Sequence, residues 1–393
     1  MNSSTLILLL AAFTLTACGG GESSSSVSSA PSADNGQFKS SHETGIYYSA
    51  IINGNTFDYN FGLNSMLCQS TYRDYYYETD NALIFGNPDL PQEDFQVAAG
   101  WVESELNTAL TAMNMTKAEF YAARTNVSMT ARDRLKQGLS TLNSPGQSYG
   151  NFTFPDHLSV FSEWEDVGAW RVSTAQDASL ADIAATLIGD SHSGYTSEDQ
   201  IRLENKIYVC IHEPDHLAGW GEGHLTGINI GANSNIQPFD TAKIIVHELI
   251  HTIQHALVAN TEGFRVPRWF SEGQAVYLSK MRVADKSKHA EFDPTEVVSF
   301  SDEMGDTGLA YQHYGLAYQY VQEANGLDNV KAMMLRVKND SYKMHASSQH
   351  YRENPNYILA FDATMLDMNQ QALTVEQYRS NYHSYLSDYA AKP

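Results

Sequence analysis

Positive charge is scarce in this sequence of 393 residues. Lys and Arg together number 24, against 46 Asp and Glu, which gives a formal net charge of −22 with His neutral. Nucleic-acid phosphates and anionic lipid surfaces repel such a chain, because they carry the same sign of charge. We therefore expect no nucleic-acid partner and no electrostatic docking to a membrane.

Long apolar runs are missing after the first residues. The run from residue 6 to residue 15 is too short to span a bilayer, and it leads into Leu15-Thr-Ala-Cys18. This segment resembles the lipobox of bacterial lipoproteins. The resemblance implies a signal peptide over residues 1–18, lipid (palmitate among its acyl chains) on Cys18, and a protein held at the cell envelope by that anchor alone. By the same resemblance, Gly19 after the lipidated Cys favours anchoring in the outer membrane. The alternative to a lipobox is an ordinary cleaved signal peptide.

Cysteine is rare as well, with three in the whole chain. If Cys18 carries lipid, Cys68 and Cys210 form an even pair in an oxidising compartment. A disulfide between them would tie the N-terminal part of the chain to the C-terminal part. Two separate buried thiols are the alternative.

The chain divides by composition into a tether and two larger regions. Residues 19–44 are rich in Gly and Ser and poor in apolar side chains, which predicts a flexible tether without a core. The remainder is long enough for two domains. We expect a mixed, mostly helical N-terminal region of unknown role over residues 45–205 and a second domain over residues 206–393.

Local patterns predict three elements of the N-terminal region. Asn53-Gly54 lies between the strand-like runs Tyr47–Ile52 and Thr56–Phe61, which is typical of a β-hairpin. A helix is predicted over Asp94–Met113. A second helix should begin at Thr116-Lys-Ala-Glu119, whose residue spacing matches a capping box.

The strongest chemical signal is His247-Glu-Leu-Ile-His251, inside a run that predicts a helix from the N-cap Asp240 to Leu257. Residues four apart share a helix face, so the two His side chains can bind one metal ion. Glu248 then lies beside the metal, where a general base for an attacking water is needed.

A third metal ligand is expected from a neighbouring element. Pro267-Arg-Trp-Phe-Ser-Glu-Gly-Gln-Ala-Val-Tyr277 offers Glu272, on a helix predicted to begin near Trp269. Gly273 leaves room for close approach to the first helix.

These two segments together resemble the gluzincin metallopeptidases, in particular the peptidase MA-like group. The resemblance implies a single zinc ion bound by His247, His251 and Glu272, with Glu248 as the catalytic base. It also implies an α+β fold in which residues 206–393 form a zincin-like domain. That domain would have a small mixed sheet, an edge strand at Thr226–Gly231, active-site helices and a closing helix at Thr374–Tyr389.

Several other residues are candidates for roles at this site. By the same resemblance Tyr314 stabilises the oxyanion, with His313 as the weaker candidate and a packed aromatic face as the alternative. His255 is one turn beyond His251 and is expected to support the site or lie at the surface, since a fourth ligand would close the water position. Some gluzincins have an acid at the position of Val276 to orient a ligand His, so that partner must come from elsewhere.

The pattern His-Glu-x-x-His of residues 247–251 occurs a second time, at His212-Glu-Pro-Asp-His216. This copy contains proline and is followed by glycines, so we expect a loop there. A long polar loop near the site is expected over Met281–Gly308.

The function predicted from these residues is zinc-dependent hydrolysis of peptide bonds in a peptide or protein substrate. An endopeptidase is favoured because the G-x-M-E-N motif of the large aminopeptidase branch does not occur. Two alternatives stay open: a non-catalytic surface-binding lipoprotein on a zincin scaffold, and a zinc hydrolase of a non-peptide amide or ester. The oligomeric state is not predicted.

Overall fold

The computed structural model describes residues 32–33, 35–40, 47–52, 55–60, 75–87, 89–124, 170–172, 206–212, 221–223, 227–231, 238–258, 266–297, 300–303, 307–337 and 355–391. The predicted signal peptide, Cys18, Cys68 and most of the predicted tether lie outside these residues. No helix within them is both long and apolar enough to cross a bilayer.

The fold is α+β, as predicted, and is organised around a mixed sheet of six strands in the order β1-β4-β5-β7-β9-β8. The three central strands β5, β7 and β9 run parallel to one another, whereas β1, β4 and β8 pair antiparallel with their neighbours. A separate antiparallel sheet has the order β2-β3-β6. The strands are β1 (Gln37–Ser40), β2 (Tyr47–Ile52), β3 (Asn55–Asn60), β4 (Tyr75–Glu78), β5 (Ala82–Gly86), β6 (Trp170–Val172), β7 (Ile207–His212), β8 (Gly221–Gly223) and β9 (Gly227–Gly231).

Helices cover the sheet and make up most of the C-terminal part. They are α1 (Gln92–Ala112), α2 (117–124), α3 (Pro238–Val258), α4 (Arg268–Leu278), α5 (Phe300–Glu303), α6 (Thr307–Asn325), α7 (Leu327–Val337), α8 (Pro355–Thr364), α9 (Val375–Ser380) and α10 (Tyr382–Ala390). Helices α1 and α3 pack against each other and against the sheet. Their buried faces and the central strands form one hydrophobic core.

The three local patterns of the N-terminal region are confirmed. Strands β2 and β3 pair antiparallel with Ile52 opposite Asn55, which is the register that a hairpin with Asn53-Gly54 between its strands requires. Helix α1 covers the predicted helix to within two residues at each end. Thr116 Oγ1 accepts from the Glu119 amide at 3.2 Å, and Glu119 Oε2 accepts from the Thr116 amide at 2.7 Å, which completes the capping box.

The predicted boundary between residues 205 and 206 does not separate two cores. Strand β5, from the region assigned to the N-terminal half, pairs in parallel with β7 from the assigned second domain. Helix α1 also joins the same hydrophobic core as α3. Two parallel strands must be joined by a long crossover connection. Strands β5 and β7 are therefore neighbours in the sheet although they are far apart in the chain, and no local sequence pattern indicates that they pair.

The tether prediction is wrong for the end of its range. Strand β1 pairs with β4, and Phe38 lies against Tyr77, with ring centroids 4.9 Å apart. Nearby, Ala33 is buried and its carbonyl oxygen accepts from the Tyr77 hydroxyl at 2.5 Å. Ordered structure therefore begins before residue 44, because a few apolar residues at the end of the Gly/Ser-rich segment complete the sheet.

The edge strand differs from the prediction. Strand β9 covers the expected segment, but β8 pairs with it antiparallel and takes the edge of the sheet. Strand β8 has the sequence Gly-Glu-Gly, whose low β-propensity hides it from pattern analysis. It packs against α3, which places the sheet edge beside that helix.

Two predictions for the C-terminal part also change in detail. The closing helix is interrupted at Asn381, so that α9 and α10 replace a single helix. The long loop after Met281 contains two 3-10 turns, Lys286–Lys288 and Pro294–Glu296, followed by the short helix α5.

Candidate metal centre

Helix α3 places the two candidate His ligands on one face. It begins at Pro238, two residues before the predicted N-cap Asp240, because proline is pre-set for the first helical position. The apolar face of the helix is buried, as shown by Ile245, Leu249, Ile253 and Leu257. Burial of that face fixes the rotation of α3, and the imidazoles of His247 and His251 stand edge to face with centroids 4.7 Å apart.

Helix α4 supplies the third candidate ligand. It begins at Arg268, directly after Pro267, within one residue of the prediction. Glu272 lies in its second turn and is buried. Gly273 does allow a close approach, but to α6 rather than to α3, since a Cβ at this position would lie 2.3 Å from the Tyr314 carbonyl oxygen.

The donor atoms of these three side chains converge on one point. His247 Nε2 and His251 Nε2 are 3.1 Å apart, and Glu272 Oε2 lies 3.3 Å from each of them. Bonds of about 2.0–2.1 Å at the tetrahedral angle place two ligand atoms about 3.3 Å apart. The triangle therefore has the dimensions of three ligands around one small tetrahedral ion.

The hydrogen bonding of Glu272 agrees with a metal-binding role. Its Oε2 atom is buried and has no hydrogen-bond partner among the described residues. An unsatisfied carboxylate oxygen is costly to bury, and a metal ion would satisfy it. The buried group of His247, His251 and Glu272 can therefore hold a metal ion.

The second oxygen of Glu272 belongs to a buried ionic cluster around Arg268. The guanidinium donates from Nη1 to Glu272 Oε1 at 2.9 Å and from Nε to Glu303 Oε1 at 2.5 Å. It also donates from Nη2 to the Tyr311 hydroxyl oxygen at 2.9 Å. Arg268 thus occupies Oε1 of Glu272 and leaves Oε2 directed at the two imidazoles.

Charge in this cluster sets the protonation of the ligands. Burial favours the neutral acid, but Arg268 and His251 hold the pKa of the Glu272 carboxyl well below its usual range. Burial likewise favours a neutral imidazole, yet Glu272 and then Glu248 raise the pKa of His251 to about 9. A metal ion at this site therefore competes with a proton on His251.

Glu248 projects from α3 one residue after the first ligand and is buried. Its negative charge contributes to the raised pKa of both His251 and Tyr311. The Glu248 carbonyl oxygen accepts from Thr252 Oγ1 at 3.3 Å, and the same hydroxyl lies 3.2 Å from the Gly227 carbonyl of β9. Glu248, the predicted base, is therefore carried by a helix that is hydrogen-bonded to the sheet.

Tyr314, the residue predicted to stabilise the oxyanion, is engaged elsewhere. Its hydroxyl donates to Glu303 Oε1 at 2.5 Å, and its ring is fully buried. Tyr311 is the phenol that lies against a candidate ligand, stacked on His247 with centroids 6.4 Å apart and planes 24° apart. Burial and the charge of Glu272 raise the pKa of Tyr311 far above its usual value, so Tyr311 keeps its hydroxyl proton.

Among the described residues, no other histidine belongs to the group that could hold a metal ion. His313 is fully buried against Phe292, and neither ring nitrogen has a hydrogen-bond partner among the described residues. His255 is buried one turn beyond His251, which excludes the surface alternative. His212 ends strand β7, and the rest of the second His-Glu match lies outside the described residues.

Sequence analysis missed three residues around the ligands. Arg268 precedes Glu272 by one helical turn, a spacing that predicts an ion pair in hindsight. Gln254 Oε1 accepts from His251 Nδ1 across 2.8 Å and fills the role of the orienting partner that Val276 cannot take. Glu303 carries no such local signal, because it lies in α5, 35 residues from Arg268 in the chain, and meets Arg268 only through folding.

Of the two cysteines in the predicted disulfide, only Cys210 lies among the described residues. Cys210, in β7, is disulfide-bonded. Its partner lies outside the described residues, so its pairing with Cys68 stays a prediction.

In comparisons with known proteins, no family model, no curated protein and no solved structure matches this chain. The resemblance to the gluzincins therefore stays a prediction carried by the motif residues.

Proposed function

We propose that this protein is a zinc-dependent peptidase that cleaves within peptide chains. The observation that carries the proposal is the donor triangle of His247, His251 and Glu272, with distances of 3.1 to 3.3 Å and an unsatisfied Glu272 oxygen. Two imidazoles and one carboxylate are the ligand set of many catalytic zinc sites, whereas structural zinc sites usually have four protein ligands.

The residues around the triangle divide the chemistry between them. Zinc, when bound, supplies Lewis acidity that lowers the pKa of water and polarises a carbonyl group. Glu248, beside His247 on α3, takes a proton from the attacking water and passes it to the leaving amine. Tyr311, which is protonated and stacked on His247, donates a hydrogen bond to the oxygen on which charge develops.

The sheet edge supports a peptide as the substrate. Strand β8 is the last strand at its end of the described sheet and packs against α3. An extended peptide can pair with such an edge through main-chain hydrogen bonds, independently of its side chains. A substrate bound in this way would pass alongside the helix that carries Glu248.

We further propose that the peptidase acts at the bacterial cell envelope, held there by lipid on Cys18. The support is the Leu15-Thr-Ala-Cys18 segment, together with the disulfide at Cys210, which is typical of an oxidising compartment. Mass spectrometry of the mature N-terminus tests this, since a lipid-modified Cys18 is expected and an unmodified new N-terminus would contradict it.

The first experiment compares the purified chain with its Glu248→Gln variant, which keeps the shape of the base but removes its proton-accepting charge. Zinc content and cleavage of a mixed peptide library are measured in both. We expect one zinc per chain in both proteins and cleavage only by the parent, at internal bonds.

The other outcomes separate the alternatives. Zinc in both proteins without cleavage by either would favour a non-peptide amide or ester, or a binding role on the same scaffold. Cleavage that is equal in both would exclude Glu248 as the base. Absence of zinc from both would mean that the ligand assignment is wrong.

A further inference from the structure

Behind the donor triangle, a chain of buried amide groups leads away from His251. Gln254 Oε1 lies 2.8 Å from His251 Nδ1. Gln254 Nε2 donates to the Ser271 carbonyl oxygen at 2.9 Å and to Gln274 Oε1 at 2.9 Å. Gln274 Nε2 in turn donates to the Tyr318 hydroxyl oxygen at 2.8 Å. Gln254, Gln274 and Tyr318 are all buried to within one per cent.

One backbone carbonyl determines the direction of every bond in this chain. The Ser271 carbonyl oxygen can only accept, so the group of Gln254 that faces it must be the NH2 group. The amide oxygen of Gln254 must then face His251. A flipped amide would place two oxygens in contact at Ser271 and leave both unsatisfied in a buried site.

The orientation of Gln254 selects one tautomer of His251. Because Gln254 Oε1 is an acceptor, Nδ1 of His251 must carry the hydrogen and donate. The neutral ring then has its lone pair on Nε2, which is the atom in the donor triangle. Of the two neutral tautomers of His251, Gln254 therefore selects the one whose Nε2 can bind a metal.

The same amide also links the two helices that carry the ligands. Gln254 belongs to α3, and its partner Ser271 precedes Glu272 on α4. Gln274, also on α4, continues the chain to Tyr318 on α6 and lies 3.6 Å from Met334 Sδ on α7. A shift of α4 along α3 would break these bonds, so they hold Glu272 in register with His251.

We propose that Gln254 is a positioning residue that selects the Nδ1–H tautomer of His251 and holds α4 in register with α3, so that His251 Nε2 and Glu272 Oε2 reach the same metal ion. This inference rests on the metal site of the proposed function but not on its peptidase activity. In many metal sites a carboxylate accepts the hydrogen bond from a ligand histidine, whereas here the side-chain amide of Gln254 accepts it. A carboxylate at this position would have no hydrogen to offer the Ser271 carbonyl.

Gln274 provides a matched control for the test. It is the same residue type, it is buried to the same extent, and it belongs to the same chain of bonds, but none of its hydrogen bonds among the described residues goes to His251. Replacing Gln274 leaves the Ser271 carbonyl in place, so the orientation of Gln254 is preserved. The substitutions Gln254→Met and Gln274→Met therefore disturb the core alike and differ only in their effect on the ligand.

The experiment uses the full chain with histidine labelled by 15N, and it has two readouts. The first is the zinc dissociation constant, measured by competition with a chelator. The second is the NMR signal of the His251 Nδ1–H group in the zinc-loaded protein. We expect Gln254→Met to weaken zinc binding by about 10- to 100-fold and to shift the Nδ1–H signal and speed its exchange with water. Gln274→Met should leave both readouts close to those of the parent.

Equal weakening of zinc binding by both variants would overturn the proposal, because it would show a general effect of core damage. An unchanged Nδ1–H signal in Gln254→Met would overturn it as well. A parent chain that binds zinc and cleaves no peptide would contradict the proposed function and leave this inference standing. A parent chain that binds no zinc would overturn both.

Discussion

Replacing Arg268 by Met should destabilise the protein strongly even when no metal is bound. The guanidinium donates to Glu272, Glu303 and Tyr311, and its side chain is 14% exposed. Methionine has a similar length and can fill most of the same space. The substitution therefore removes the charge and the hydrogen bonds with little change in packing.

The size of this loss of stability follows from the buried carboxylate of Glu303, which loses its charged partner. The Glu303 side chain is 0% exposed, and without Arg268 the only donor to its Oε1 that we describe is the Tyr314 hydroxyl. Its Oε2 already has no hydrogen-bond partner among the described residues. Breaking a buried ion pair by removing one partner costs about 3–5 kcal/mol. That is a large part of the roughly 5–15 kcal/mol by which a folded protein is stable.

The assay is urea unfolding of the chelator-treated full chain, followed by tryptophan fluorescence. The double variant Arg268→Met/Glu303→Gln should recover at least about 1 kcal/mol over the single variant, because it no longer buries an unpaired charge at Glu303. Lys288→Met is the control. Its ion pair with Glu291, at 3.2 Å, has side chains 59% and 48% exposed, so its loss should cost no more than about 1 kcal/mol.

Two results would refute this reasoning. If Arg268→Met costs no more than the control, the cluster is not the buried ionic group that the distances indicate. If the double variant is as unstable as the single one, the damage comes from lost packing around residue 268 rather than from an uncompensated carboxylate.

Four further predictions follow from the same geometry. Gly273→Ala should cost about 1–3 kcal/mol or more in urea unfolding, since its Cβ would lie 2.3 Å from the Tyr314 carbonyl oxygen; an unchanged midpoint would contradict the tight contact of α4 with α6. Tyr311→Phe should lower kcat by about 100- to 1,000-fold, whereas Tyr314→Phe should leave kcat nearly unchanged; the reverse order in steady-state kinetics would restore Tyr314 as the oxyanion donor. Burial lowers the pKa of His313, so the unfolded chain takes up a proton first as pH falls through about 6.5, and folded stability is lost below that pH. His313→Phe should therefore lose less stability than the parent between pH 7 and pH 5, and parallel pH profiles would argue against this. Zinc at 100 times its dissociation constant should raise the unfolding free energy by about 2.7 kcal/mol over the chelated protein, and no shift would argue against a specific site.

Local patterns were enough to predict the central pieces of the candidate site. The spacing of His247 and His251 places both on one helix face whatever surrounds the helix. The hairpin at Asn53-Gly54 and the capping box at Thr116 depend equally on neighbours within a few residues. Glu272 was predictable because its helix follows α3 closely and begins after Pro267.

The predictions that were wrong share a physical cause, because each concerns structure that depends on contacts between distant segments of the chain. The sheet places β5 beside β7, although more than a hundred residues separate them, so the boundary at residue 205 could not be drawn from composition. Strand β8 exists because β9 offers it a partner, not because its Gly-Glu-Gly sequence favours a strand.

The sequence by itself predicted the candidate metal ligands, the candidate base and the helices that carry them, because each depends on spacing along one element. Only the tertiary structure decided how those ligands are held. Rotation of α6 brings Tyr311 rather than Tyr314 against His247, Glu303 reaches Arg268 from a separate loop region, and Gln254 meets Ser271 across two helices. Such contacts are determined by the packing of whole elements on a shared core, and residues far apart in the chain contribute to that packing together.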